Sequence, residues 1–367
     1  LKKEEVKMKK IILSLILIGI LKAFVDMPPG WRHRKFIRDS VENHIMLGPW
    51  VASKGDTVVQ IFVGWPTEYP QPLYLTKSED AGFSWSPPSS IIPAEIFLVY
   101  TPRVAIDRYG YLYIAFMTTR AILPMVLVYT SRDFGNTWGL IYGVGGAMDA
   151  AYSPWCATNG DTFALIYTHH VEGEANPVIE FAYKEEHPWM VGPERVGEGD
   201  ISRIIIDKSG QFYVFYRENA TTLKLAKRVE AHQWIYYPFP ETEIRFGEQN
   251  RIMRADPQTP DVIHFIYSLR INNNDNIYYR RFENGAWTDP VFITNGTNAD
   301  FVVEKNGKIY ALIGNYQNEI YTMKYYVSND NGNTWTYKGD LHDSKSFCYE
   351  KNKRGRGLAL IGTEMNN

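Results

Sequence analysis

Five side chains able to hold an anion or a sugar ring recur at comparable places along the chain: Trp50, Arg103, Trp155, Arg203 and Arg251, with Asp300 at a sixth. Arginines gathered round one opening would form a positive funnel for a carboxylate or a sulfate. Indole rings offer flat faces on which sugar rings stack. Together they point to an acidic glycan, with Arg254 close behind Arg251. A plainer arrangement uses the same residues: arginines paired with neighbouring carboxylates along a wet channel, and tryptophans packed between sheets.

Glycoside hydrolysis needs two carboxylates flanking the bond. Asp149, Glu172, Asp200, Glu218 and Asp300 are placed for that role. A lyase acting on an acidic sugar needs a Tyr or His base beside an arginine, which His169, His170 or Tyr216 could supply. Asp300, Glu218, Tyr216 and His169 are therefore the catalytic candidates, and Trp65, Glu68 and Tyr69 are further polar groups on a comparable loop. No C-x-x-C pair is present, and neither a metal nor a cofactor is expected. The polar run Asn272 to Asn276 could be read as a calcium loop, but a long hairpin loop accounts for it without a metal. Cys156 and Cys348 are open to pairing or to lying as free thiols. Asn219-Ala220-Thr221 and Asn295-Gly296-Thr297 are glycosylation sequons, relevant in a host that glycosylates exported proteins.

The elements that must position these groups announce themselves by repetition. Ser78 to Trp85, Ser131 to Trp138 and Ser328 to Trp335 all read S-x-D-x-G-x-x-W. The pattern describes a hairpin turn. Asp80, Asp133 and Asp330 accept backbone N–H bonds, Gly82, Gly135 and Gly332 supply positive φ, and Trp85, Trp138 and Trp335 return to pack between sheets. These residues are structural. Trp189, Trp234 and Trp287 mark degenerate copies, so six tryptophans fall 45 to 53 residues apart. Apolar runs recur in step: Val58–Val63, Tyr111–Phe116, Phe163–Tyr167, Phe212–Tyr216, Val262–Tyr267 and Ile309–Ile313. Runs this apolar suit strands buried on both faces. The inner strands repeat as well: Pro49 to Thr57 matches Pro154 to Thr162, and Pro102 to Asp107 matches Ser202 to Asp207.

A period near fifty built from strands predicts a six-bladed β-propeller of four-stranded antiparallel blades. A seventh, composite blade is the alternative, drawing on Trp31–Ile37 and on residues 346–363. In a propeller the inner strands enter from one face of the central channel, which collects the Arg and Trp positions there. Composition agrees. The chain holds 25 Tyr, 18 Phe and 10 Trp among 367 residues, and its 28 Gly and 20 Pro are spread rather than clustered. A formal net charge of -2 argues against a nucleic-acid partner. Met8-Lys9-Lys10 before the Ile/Leu-rich run to Leu21 reads as a signal peptide within residues 1–25, with an uncleaved anchor as the alternative. Residues 31–367 form one propeller domain in this reading, secreted or displayed at the cell surface.

The three turns resemble those of the sialidase-like superfamily of Asp-box (BNR-repeat) propellers, over roughly residues 45–338. The resemblance implies the propeller fold and an exported protein that binds or cleaves an acidic glycan at an Arg/Trp-lined channel face. If the protein is an enzyme, it implies a glycoside hydrolase, with an acidic-polysaccharide lyase beside it. Family members that cleave sialosides carry a first arginine in an Arg-Ile-Pro motif and a Tyr–Glu nucleophile pair. Here the matching stretch is Leu47-Gly48-Pro49, and no Tyr–Glu pair stands out in the sequence. A non-catalytic propeller serving as an adhesion or protein-interaction scaffold is the second reading.

Overall fold

The computed structural model describes residues 45–64, 73–80, 84–91, 99–119, 123–146, 148–185, 190–242, 244–245, 253–272, 274–317 and 320–340. The leader, Trp31–Ile37, the Trp65–Tyr69 group, Gly82, Trp189, Arg251, Cys348 and residues 346–363 lie outside them.

Every regular element among the described residues is a strand, and the strands form six antiparallel sheets. The first blade holds β1 (Ile45–Lys54), β2 (Thr57–Gly64), β3 (Leu73–Ser78) and β4 (Ser89–Ser90). The second holds β5 (Val99–Ile106), β6 (Leu112–Thr118), β7 (Met125–Ser131) and β8 (Gly139–Gly145). The third holds β9 (Ala150–Asn159), β10 (Thr162–His170), β11 (Val178–Lys184) and β12 (Val191–Glu198). The fourth holds β13 (Asp200–Ile206), β14 (Phe212–Asn219), β15 (Thr222–Glu230) and β16 (Gln233–Pro238). In the fifth, β17 (Ile244–Arg245) and β18 (Met253–Ala255) share the inner edge of β19 (Ile263–Ile271). β20 (Asn274–Glu283) follows, then β21 (Ala286–Trp287) and β22 (Val291–Asn295). The sixth holds β23 (Asn298–Val303), β24 (Ile309–Gln317), β25 (Ile320–Ser328) and β26 (Thr336–Asp340). This is the six-bladed propeller the repeat predicts.

Burial explains the repeat. The second strand of each blade is the apolar run, and Val59, Ile61, Phe116, Leu165, Phe215, Phe265 and Ala311 on these strands are fully enclosed. Each such strand packs on both faces, which is why it alternates so little. Four of the returning tryptophans wedge between blades. Trp138 packs on the core between the first and second, Trp234 between the third and fourth, Trp287 between the fourth and fifth, and Trp335 between the fifth and sixth. The run at Asn272 is not a long loop. Ile271 pairs with Asn274, and Asn272 stands at φ 50°, a conformation asparagine tolerates.

The turns fold as their chemistry dictates. Asp133 accepts the Thr137 N–H at 2.8 Å, the Thr137 hydroxyl at 2.5 Å and the Ser131 hydroxyl at 2.8 Å. Asp330 accepts the same three donors from Thr334 and Ser328. Asp80 accepts from Ser78 and from the N–H and hydroxyl of Ser84. Thr137 chiefly, through its hydroxyl and N–H, and then Ser131 hold the Asp133 carboxyl down to about 2. Burial pushes the Asp256 carboxyl up, but the His264 ring and the N–H groups of Gln258 and Thr259 outweigh it and bring it to about 2. Both folded values lie below the ordinary 3.8, so the stabilisation is complete above that value and is lost as pH falls through about 2. Urea-unfolding stability is expected to decline between those limits, and Asp256→Asn to flatten the decline. An Asp256→Asn curve parallel to wild type would contradict the assignment.

Candidate functional site

Five of the six aligned positions are described, and the register fixes four of them in the same way. In the first four blades the inner strand bulges two residues before its key side chain. Pairing jumps from Leu47 to Trp50, from Tyr100 to Arg103, from Tyr152 to Trp155 and from Asp200 to Arg203. Three of the bulged residues are non-glycine at positive φ: Thr101 at 44°, Ser153 at 53° and Ile201 at 46°. A β-branched residue there is strained by about 1–3 kcal/mol. That strain is repeated blade after blade at one height on the inner wall, and it sets the direction of the following side chain.

The result is an alternating stack along the inner wall. The Arg103 guanidinium lies 5.2 Å from the Trp50 ring centre and 4.2 Å from that of Trp155. The Arg203 guanidinium lies 4.2 Å from Trp155, reached from the blade on the other side. All four side chains are buried. The Trp155 indole thus spends its faces on guanidiniums, an arrangement that cation–π attraction favours strongly once water is excluded. Asp300 occupies the corresponding place on β23, buried, with Arg254 of β18 donating to it at 3.3 Å and to the Phe301 carbonyl at 3.0 Å. Arg254 is the more open of the two, at 28% exposure.

A cleft of about 920 Å³ opens between the third and fourth blades. Its walls come from the β10–β11 loop, the β12–β13 crossover and the β14–β15 turn, with Tyr236 of β16 beside them. Asp200 begins the strand that carries Arg203, so the cleft lies at the end of the blade from which the inner strand enters. Arg217 grips Asp200 through two bonds of 2.7 and 2.6 Å. That grip raises the Arg217 guanidinium further above its ordinary value. Glu218 is paired with Lys224, and Arg195 bridges Glu174 and Glu198. Gly199 makes the crossover possible: its φ is 142°, and a Cβ there would lie 2.1 Å from the Arg217 carbonyl oxygen.

The remaining sequence candidates take separate places. Tyr216 is fully buried, and burial pushes its phenol well above the ordinary range, so it resists serving as a base near neutral pH. His169 is buried beside Tyr167 of its own strand. Its Nδ1 is 2.8 Å from Glu180, and its Nε2 lies 3.9 Å from Asp149. His170 is exposed and stacks on Tyr152. Glu172 donates its N–H to Asp149 at 2.9 Å. Of the carboxylate candidates, the cleft brings together Asp200 and Glu218 and adds Glu198, which the sequence reading passed over. Another group also escaped it: Tyr267 donates to Glu241 at 2.9 Å and Arg280 to the same oxygen at 2.6 Å, between the fourth and fifth blades. No local pattern marks that cluster, because 39 residues separate Arg280 from Glu241.

No family model matches the chain, and no curated protein matches it. Solved structures do. A protein of unknown function from Dyadobacter fermentans is 14% identical, with 78% of this chain and 92% of that one covered and a TM-score of 0.50. A Hadza microbial sialidase is 11% identical, with 72% and 62% covered and a TM-score of 0.46. The α-L-arabinofuranosidase Arb93A from Fusarium graminearum is 13% identical, with 82% of each chain covered and a TM-score of 0.46. The chain spans 62% of the length of that sialidase. At 14% identity the likeness to the Dyadobacter fermentans protein is one of fold alone.

Proposed function

We propose that this protein is an exported propeller that binds an acidic glycan at the Arg/Trp-lined channel face, with cleavage of that glycan belonging to the same reading. The observation that carries it is the strained bulge repeated before Arg103, Trp155 and Arg203. Backbone strain maintained at equivalent positions of successive blades is characteristic of sites that must aim a side chain. What it aims is Arg103, Trp155 and Arg203, and Arg254, on the regular strand β18, adds the more open guanidinium. Guanidinium groups there suit a uronate, sialate or sulfate. Cleavage would draw on two of the carboxylates Glu198, Asp200 and Glu218 at the neighbouring cleft.

The burial of Trp50, Arg103, Trp155 and Arg203 against one another favours a second reading, in which the stack is a structural seam and the propeller is an interaction scaffold. An array of acidic and neutral glycans separates the two. Wild-type protein is expected to retain acidic glycans, and Arg254→Ala and Arg203→Ala to lose about tenfold or more in affinity, the scale of a lost charge-assisted hydrogen bond. Retention of no glycan by the folded wild type, or unchanged retention by both variants, would leave the scaffold reading in place.

A further inference from the structure

We infer that the cleft between the third and fourth blades is a subsite for an uncharged sugar unit, beside the acidic unit assigned to the channel face. The inference rests on that reading for the neighbouring unit only. Three observations support it.

The first is charge. Within and around the cleft, Arg195, Arg217 and Lys224 face Glu174, Glu198, Asp200 and Glu218, and each cation is already engaged by a carboxylate. An incoming anion would have to displace a carboxylate that belongs to the protein, in surroundings where negative groups already outnumber positive ones. A sugar hydroxyl meets no such obstacle. It donates to a carboxylate lone pair that arginine leaves unused and accepts from a guanidinium N–H outside the fork.

The second is an aromatic platform. Tyr236 is 44% exposed on the cleft wall, and its hydroxyl donates to the Val196 carbonyl at 2.7 Å. The ring is therefore held in place, with Lys224 Nζ 5.7 Å from its centre and exposed surface remaining for a sugar's apolar C–H face. The third is preorganisation. Asp200 and Arg217 are locked together across the first two strands of their blade, and the Gly199 crossover fits only without a side chain. The volume of about 920 Å³ falls within the range of small-molecule sites.

The test titrates the full chain with two probe sets by calorimetry and saturation-transfer NMR: neutral oligosaccharides, and acidic monosaccharides alone or joined to one neutral unit. Tyr236→Ala is expected to weaken neutral and joined probes about tenfold, the scale of one aromatic contact, while leaving acidic monosaccharides unchanged. Tyr236→Phe is expected to keep most of the affinity, because the stacking face remains. Arg254→Ala should do the reverse, weakening the acidic probes alone. If Tyr236→Ala binds neutral and joined probes as wild type does, or if Arg217→Ala abolishes binding of the free acidic monosaccharide, the subsite assignment fails. If neutral probes respond to Tyr236→Ala but no acidic probe binds, the channel-face reading fails and the neutral subsite stands.

Discussion

Gly332→Ala is expected to destabilise the protein by about 3 kcal/mol or more, while Gly135→Ala, its counterpart in the second blade, costs about 1–2 kcal/mol. Both glycines sit at nearly the same φ, 89° and 88°, so the conformational penalty for a side chain is shared. The surroundings differ. A Cβ on Gly332 would fall 2.0 Å from the Tyr279 ring, whereas on Gly135 it would meet a Leu75 methyl at 3.2 Å. The leucine can turn aside. Tyr279 cannot, because its hydroxyl lies 2.7 Å from His264 Nδ1 and 3.0 Å from the Asn331 carbonyl. His264 is in turn fully buried and held by Asp256 at 3.1 Å. Urea-unfolding midpoints of the two variants measure the difference. Equal losses at the two positions would mean that the turn itself, and not the ring beneath it, sets the cost.

The same contrast separates what could be read in the sequence from what could not. The turns are local: Ser, Asp, Gly, Thr and Trp within eight residues satisfy one another, so the pattern that encodes them is continuous. The second strands are legible for a similar reason, since burial on both faces leaves no polar alternation to confuse them. The positions of Arg103, Trp155 and Arg203 follow from comparing the repeated inner strands. Their contacts do not. Indoles that sequence offers equally to sugars or to packing are covered by arginines of adjacent blades, and only the spacing between blades determines that. The bulge was hidden as well. Ile201 carries no mark of positive φ, because its conformation is imposed by the sheet against its own preference.

The cleft shows the limit most clearly. Asp200 and Glu218 could be nominated as carboxylates near an entry face, but their partners decide what they do. Arg217 lies directly across the sheet from Asp200, a relation set by strand register. Glu198, Arg195 and Tyr236 belong to outer strands whose sequence looks like ordinary solvated edge. Their convergence depends on how the third blade hands the chain to the fourth.

That handover has its own fastener, and removing half of it carries the other large effect. Arg228 of β15 forks onto Glu194 of β12 at 2.9 and 2.7 Å, joining the fourth blade to the third. The carboxylate is 3% exposed, and the guanidinium spreads over the rings of Phe181, Tyr183 and Phe212. Burial pushes the Glu194 carboxyl up, but the Arg228 fork and the His232 N–H outweigh it and leave it below its ordinary value. Arg228→Ala removes the fork and the stacking together, stranding a buried charge, and is expected to cost about 3–5 kcal/mol. The sign of the pH response then reverses. In the wild type the pair's contribution is present above the ordinary carboxyl value of 4.5 and disappears as pH falls through the lower folded value. In Arg228→Ala burial acts unopposed by the fork, so acidification relieves the stranded charge and the gap to wild type narrows. Replacing both partners by apolar residues of similar shape, Arg228→Met with Glu194→Leu, should cost much less than Arg228→Ala, because no charge is left unpaired. Denaturant unfolding at neutral and mildly acid pH reads all three. A single variant no less stable than the double, or a gap to wild type that widens on acidification, would show that the pair does not fasten these blades.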